Sequence, residues 1–542
     1  MRLLTVMVTL AAVSALSPPA VVGEISREAD LDALVRAGVQ ARGMTPAPPC
    51  SDEVFIRRVY LDVIGVIPKS YEVTQFLRDS RPDKRARCIE RLLAREEFAD
   101  YWALKWGDLL RVKAEFPINL WPNAVQAYHR WIRDAVKNNM PYDEFARTLL
   151  TSSGSNFRVG PVNFYRALQG REPAVIAAAV ALTFMGTRIE SWPEAQRAGL
   201  GAFFSRITYK ETDEWKEEIV CWEPPDSAEP LQAAFPDGTP ATIPADKDPR
   251  AVFAAWLTAT ENPWFARAIV NRAWSWFLGR GIIHEPDDIR PDNPPVNPEL
   301  LAFLEQELVK ADFDLRHLYR IILNSATYQQ SSLSEAPYPE AEAVFACYPV
   351  RRLEAEVISD ALNDLFGSVN AYSSLIPEPF TFIPEEHRSI SLSDGSITSS
   401  FLETFGRPAR DTGLESERNN QVTVAQRLYL LNSSDVQRRI VRGLKVPSAP
   451  QPRKGAGAKP GAAANDDKGM AKPGKGAAPG ARKAGPLQAV RQTYLQILSR
   501  FPTEEELAAI RNYTQSAQVS PKEVREDVIW ALINSKEFLY RH

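Results

Sequence analysis

The sequence predicts a mainly α, multi-helical two-domain protein with a small β excursion near 206–245 and a disordered insertion rich in Ala, Gly, Pro and Lys. Three observations carry that expectation. Apolar residues recur at helical spacing, as in Leu300, Leu301, Phe303, Leu304 and Leu308, then Leu315, Leu318, Ile321 and Ile322. Capping side chains stand directly before prolines at Asp248-Pro249, Asn262-Pro263, Asn297-Pro298 and Ser520-Pro521. Proline fits there because the first helical N–H has no intrahelical partner. Extended signals are sparse, the clearest running from Leu231 to Ile243 around a Pro236-Asp237-Gly238 turn.

Composition narrows the class. The 542 residues carry 64 Lys+Arg and 68 Asp+Glu, a formal net charge of −4, which argues against a dedicated nucleic-acid binder. Four cysteines exclude a disulfide-dense scaffold, and no C-x-x-C spacing marks a zinc knuckle. Cys88 and Cys347 sit among apolar residues and read as buried single thiols. After the N-terminus no apolar run is long enough to span a bilayer.

In chain order, residues 1–23 read as a secretory signal: Arg2, the apolar stretch Leu3 to Leu16, then small residues before Glu24. An uncleaved anchor is the alternative. Export implies an oxidising compartment, a periplasm or cell envelope. A first helical domain (24–225) leads through a Pro-rich connector (226–247) to a second (248–446). Residues 447–486 are low in complexity, with eight Lys/Arg against Asp466 and Asp467. Such a composition buries too little to offset its ordering entropy, so this stretch reads as a disordered, solubilising spacer. Attraction of its charge to anionic polymers or envelope lipids is the alternative. The last stretch, 487–542, carries capping boxes at Thr503-x-x-Glu506 and Ser520-x-x-Glu523. It is small for a core of its own and is expected to dock on the second domain.

An internal echo runs through these regions. Arg57-x-x-Tyr60-Leu61 with Pro68 parallels Arg491-x-x-Tyr494-Leu495 with Pro502, and each unit closes alike, on Glu97-Phe98 and on Glu537-Phe538. Two units are too few for a solenoid; the echo describes packing.

The candidate chemistry is polar. Asp287, Asp288 and Asp292, shortly after Asn271 and Arg272 and flanking Arg290, offer oxygens to a hard cation or a general base. The competing and favoured interpretation is that they cap helices and tie a proline-rich loop. Glu415 and Glu417, near Arg407, Arg410 and Arg418, offer paired carboxylates for glycoside chemistry. Nearby arginines favour a structural ion network instead. Trp102, Trp106, Trp121 and Trp131 can line a sugar groove, with core packing the default. No H-E-x-x-H, G-x-S-x-G, P-loop or G-x-G-x-x-G motif occurs.

Phe55-Ile56-Arg57-Arg58-Val59-Tyr60-Leu61-Asp62-Val63-Ile64-Gly65 through Pro82-Asp83-Lys84-Arg85 resembles the first of two paired domains of unknown function, 1549 and 1553, found in exported, cytochrome-associated planctomycete proteins. Asn262-Pro263-Trp264-Phe265-Ala266-Arg267, Arg290-Pro291-Asp292-Asn293-Pro294-Pro295, Phe405-Gly406-Arg407-Pro408 and Leu430-Leu431-Asn432-Ser433 resemble the second. The resemblance implies export and a second exported partner, and it brings no reaction. Cytochrome-associated relatives carry C-x-x-C-H after the stretch matching Phe184 to Ile189, and a Cys-Glu-Cys-Glu-Arg run. This chain has Glu190-Ser191-Trp192-Pro193-Glu194 and Leu414-Glu415-Ser416-Glu417-Arg418 there. The resemblance therefore implies a form without haem, in which both thiol clusters of one site are replaced.

The expectation is an exported helical binding or scaffold protein of a cell envelope, with no cofactor and no metal. Its partner is a second exported protein or a polysaccharide, not nucleic acid. A carbohydrate-active or other polymer-acting enzyme is the alternative, and a redox component the third. An enzyme predicts that 271–293 and 403–418 converge in a concave pocket; a scaffold predicts paired carboxylates and an apolar patch elsewhere.

Overall fold

Ser51 starts the helix Asp52–Ile64 by accepting a hydrogen bond from Val54 N, and Gly65 ends it at φ +63°. A Cβ at Gly65 would strike the Tyr101 ring, so the left-handed turn and the close approach both require glycine. The helix is buried from Phe55 to Ile64, polar residues included. In this computed structural model, which describes residues 22–115, 120–445, 486–516 and 519–542, it is the hub of the molecule. Most of the expected signal and nearly all of the low-complexity insertion lie outside the described residues.

A helix buried on every side must find internal partners for its polar groups. Arg57 donates to the carbonyls of Ile497 and Phe538, each at 2.9 Å. Arg58 donates to the carbonyls of Tyr328, Gln330 and His542. Asp62 accepts from the Tyr328 and Tyr348 hydroxyls and pairs with Arg351 and Arg541. The C-terminal stretch thus reaches the first helical region as well as the second, where Arg351–Arg352 pairs antiparallel with Tyr540–Arg541.

One continuous apolar core runs from Leu31 to Phe538. Its centre is aromatic: Trp102 stacks on Tyr319 with centroids 4.4 Å apart and meets Trp276 edge-on at 5.2 Å. Trp102, Trp106 and Trp121 are buried, and Trp131 stacks on Phe145, so these rings pack the core, with Trp102 and Trp106 lining a small cavity of about 30 Å³. Phe98 and Phe538, which close the two echo units, are both buried.

The chain is mainly helical, and its β structure is small. Ile207–Glu211 pairs antiparallel with Glu218–Trp222, and Gly154–Ser155 adds a third short strand. Leu231–Ala234 pairs with Pro240–Ile243 across the expected turn, Leu231 opposite Ile243. Asp248, Asn297 and Ser520 each cap the helix that follows, as their position before proline implies. All four cysteines are free thiols; burial pushes Cys88 and Cys347 up to about 11. Among the described residues no helix is long and apolar enough to cross a membrane.

Two measurements check this framework. Arg541→Ala strips buried Asp62 and Glu354 of a shared cation, so denaturant unfolding is expected to show a loss of about 3–5 kcal/mol. The exposed Arg438→Ala is expected to cost less than about 0.5 kcal/mol. His129 is buried, and burial with nearby Arg410 and Arg133 pushes it from 6.5 down to about 3. The unfolded chain takes up that proton near 6.5 and the folded chain does not. Its contribution is therefore complete above pH 6.5 and is lost as pH falls towards 3. Thermal melts across that range are expected to show the decline, and His129→Leu to flatten it.

Candidate functional site

The helix Phe265–Leu278 is almost wholly buried and carries Asn271 and Arg272 into the core. Asn271 clamps one backbone position: its Nδ2 donates to Ile283 O at 2.9 Å, and its Oδ1 accepts from Ile283 N at 2.8 Å. That clamp turns the chain back and delivers His284 to Asp288 over the helix. Arg272 meets Asp287 at 2.6 Å and also donates to the carbonyls of Leu182 and Thr183. Burial alone would lower the Arg272 guanidinium, but Asp287, Tyr142 and Glu415 together outweigh it and the pKa ends above the ordinary value. Gly186, at φ +61°, lets this loop pack closely, since a Cβ there would lie 2.9 Å from Ile289 Cδ1.

The second oxygen of Asp287 accepts from the Glu415 backbone N–H at 2.6 Å. Glu415 in turn accepts from the Trp276 indole N–H at 3.1 Å. The 271–293 and 403–418 segments therefore meet. Between them lies a cavity of about 280 Å³, lined by Ser275, Trp276, Glu285, Glu415, Ser416 and Asn420 over a charged floor.

Most charges of the floor are paired, while Arg352 donates to the carbonyls of Phe405, Asn419 and Asn420. Glu354 binds Arg541 at 2.6 Å and Lys105 at 2.9 Å, and it accepts from the Tyr101 hydroxyl at 3.1 Å. Burial pushes its carboxyl up, but Arg541, Lys105 and Arg418 together hold it well below the usual range. Arg418 joins Asp108 and Glu356, each at 2.7 Å. Glu415 behaves oppositely: burial raises it and the Asp287 charge adds to the rise, against the pull of Lys105 and Trp276. The cavity thus presents a carboxyl biased towards its protonated form above a floor of fixed ion pairs.

The other sequence candidates lie elsewhere. Asp288 and the exposed Asp292 flank Arg290 at 3.2 and 3.4 Å on the surface. Asp287, Asp288 and Asp292 thus face different partners and form no joint oxygen cage. Glu417 ties its own turn, accepting from Asp411 N, Thr412 N and the Thr412 hydroxyl. Arg410 pairs with Asp108 at 2.9 Å and donates to Val112 O. Arg407 donates to the carbonyls of Ile397 and Asp394, and burial pushes it down to about 10. Sequence reasoning missed Lys105, Glu354 and Arg541. The one local sign was Arg351-Arg352-Leu353-Glu354, a charged run beside apolar stretches.

A cavity framed by a helix from each half of the chain matches what family comparison finds. Residues 30–191 match a protein of unknown function (DUF1549), and residues 249–514 match a protein of unknown function (DUF1553). Both matches are thus present in the one chain, the first ahead of the second. Lys105 comes from the first domain, while Trp276, Asp287 and Glu415 come from the second. No curated protein and no solved structure matches the chain.

The two aspartates are expected to separate in mutagenesis. Asp287→Ala leaves Arg272 buried without its carboxylate, and unfolding should show a loss of about 3–5 kcal/mol. Asp292→Ala on the surface should change stability by less than about 0.5 kcal/mol.

Proposed function

We propose that this chain is an exported binding protein of a cell envelope, and that its cavity takes a hydroxyl-rich chain end of a polysaccharide. The observation that carries the proposal is Glu415. A carboxyl whose pKa burial raises is protonated more readily than an exposed one, and in that form it both donates and accepts, as a sugar hydroxyl does. Ser275, Ser416 and Asn420 add uncharged donors and acceptors along the same wall. The ion pairs of the floor supply rigidity.

Binding is better supported than hydrolysis. Glycoside cleavage takes two carboxyl groups across the scissile bond. Asp287, which approaches Glu415 most closely in the hydrogen-bond network, has one oxygen on Arg272 and the other on the Glu415 N–H. Glu285 stands at the exposed rim, 3.4 Å from Arg188. Glu415 is left without a second carboxyl available for in-line chemistry.

Calorimetric titration against a panel of neutral oligosaccharides tests the proposal. Saturable binding is expected, at least tenfold weaker in Glu415→Ala. Affinity should decline as pH rises and the Glu415 proton is lost, and Glu415→Gln should bind with a flat pH profile. Absence of saturable binding to every member would overturn it. N-terminal sequencing of the protein from its native envelope is expected to begin at Glu24.

A further inference from the structure

Two consecutive helices turn an unusual face to solvent. Val424–Asn432 buries Gln426 and Leu430, while Val424, Leu428 and Leu431 point outward at 74, 52 and 38% exposure. Their spacing of four and three residues places all three on one stripe, opposite the buried pair. The following helix, Ser434–Arg442, buries Val436 and Ile440 and leaves Val441 57% exposed. Arg427 on the first helix and Arg438 and Arg442 on the second are exposed beside these apolar residues in sequence, Arg438 lying 3.8 Å from Asp435. From Val424 to Lys445 five Lys/Arg stand against Asp435 alone, in a chain whose net charge is −4. The sequence that continues from Lys445 adds eight Lys/Arg against two Asp before residue 486.

We infer that this ridge is a docking surface for an anionic lipid bilayer. Aliphatic residues on a convex helical face, flanked by arginines, suit shallow insertion at a headgroup boundary, with guanidinium groups on lipid phosphates. A protein interface is expected to centre on an aromatic anchor in a recess. The only aromatic residue of the helix, Tyr429, instead packs against Phe401 and Phe405. Charge complementarity therefore selects the lipid surface. The ridge shares no side chain with the Glu415 cavity, so each assignment stands or falls without the other.

The test is co-sedimentation of the full mature chain with vesicles. One set is phosphatidylcholine alone, the other contains about one third phosphatidylglycerol. Binding is expected only to the anionic vesicles and is expected to fall steeply with salt. The paired substitution Val424→Glu and Leu428→Glu should weaken it at least tenfold, as should the triple substitution of Arg427, Arg438 and Arg442 by Ser. All these side chains are exposed, and unchanged circular dichroism confirms folding. Binding to neither vesicle, equal binding to both, or binding that survives the Val424→Glu and Leu428→Glu pair would overturn the inference. A concentration-dependent dimer abolished by the same pair would assign the ridge to a second copy and overturn it as well.

Discussion

Everything in the fold depends on one unfavourable fact: Arg57, Arg58 and Asp62 lie on a helix that is buried on all sides. Taking those charges out of water costs several kcal/mol each unless partners compensate. Although Arg58 and Asp62 stand four residues apart, their hydrogen-bond and ion-pair partners come from distant parts of the chain. The partners come from residues 328–351, from 497–499 and from 538–542. The helix can therefore form its native environment only when the second helical region and the C-terminus have closed around it. The apolar core is continuous for the same reason.

The same constraint builds the cavity. Arg541 bridges Asp62 and Glu354, and Glu354 holds Lys105 from the first region. That network forms a floor of linked ion pairs. Above it the second region supplies a wall in which Asp287 is locked by Arg272 and orients Glu415 through the backbone. Burial and the Asp287 charge then raise the Glu415 carboxyl above its ordinary value, against the pull of Lys105 and Arg272. A buried ionic framework with one hydrogen-bonding acid of raised pKa above it is the arrangement on which the proposed binding activity rests.

Much of the architecture could be read from the sequence, for local reasons. Asp248, Asn297 and Ser520 announce their helices because capping depends on the next three residues only. The Pro236-Asp237-Gly238 turn announces its hairpin in the same way. Of the site, Asp287, Arg272 and Glu415 were visible as polar residues in dense segments, but their roles were not. Whether Asp287 is a ligand or a strut depends on Arg272, fifteen residues away, and on Glu415, 128 residues away. Lys105 was hidden because an isolated charge in the apolar helix Glu96–Leu109 reads as a solvated face until its partner is placed, and neither Glu354, just before the helix Ala355–Phe366, nor Arg541, on the strand Tyr540–Arg541, signals its distant partner. The outward stripe of Val424, Leu428 and Leu431 has helical spacing and would pass in sequence for a core face.

The central claim is that buried charge on the helix Asp52–Ile64 makes both helical regions and the C-terminus one cooperative unit. Scanning calorimetry of the full chain tests it most directly. The account predicts a single transition with equal calorimetric and van't Hoff enthalpies, moved as a whole to lower temperature by Asp62→Ala. Two separable transitions, with Asp62→Ala shifting only one of them, would contradict it.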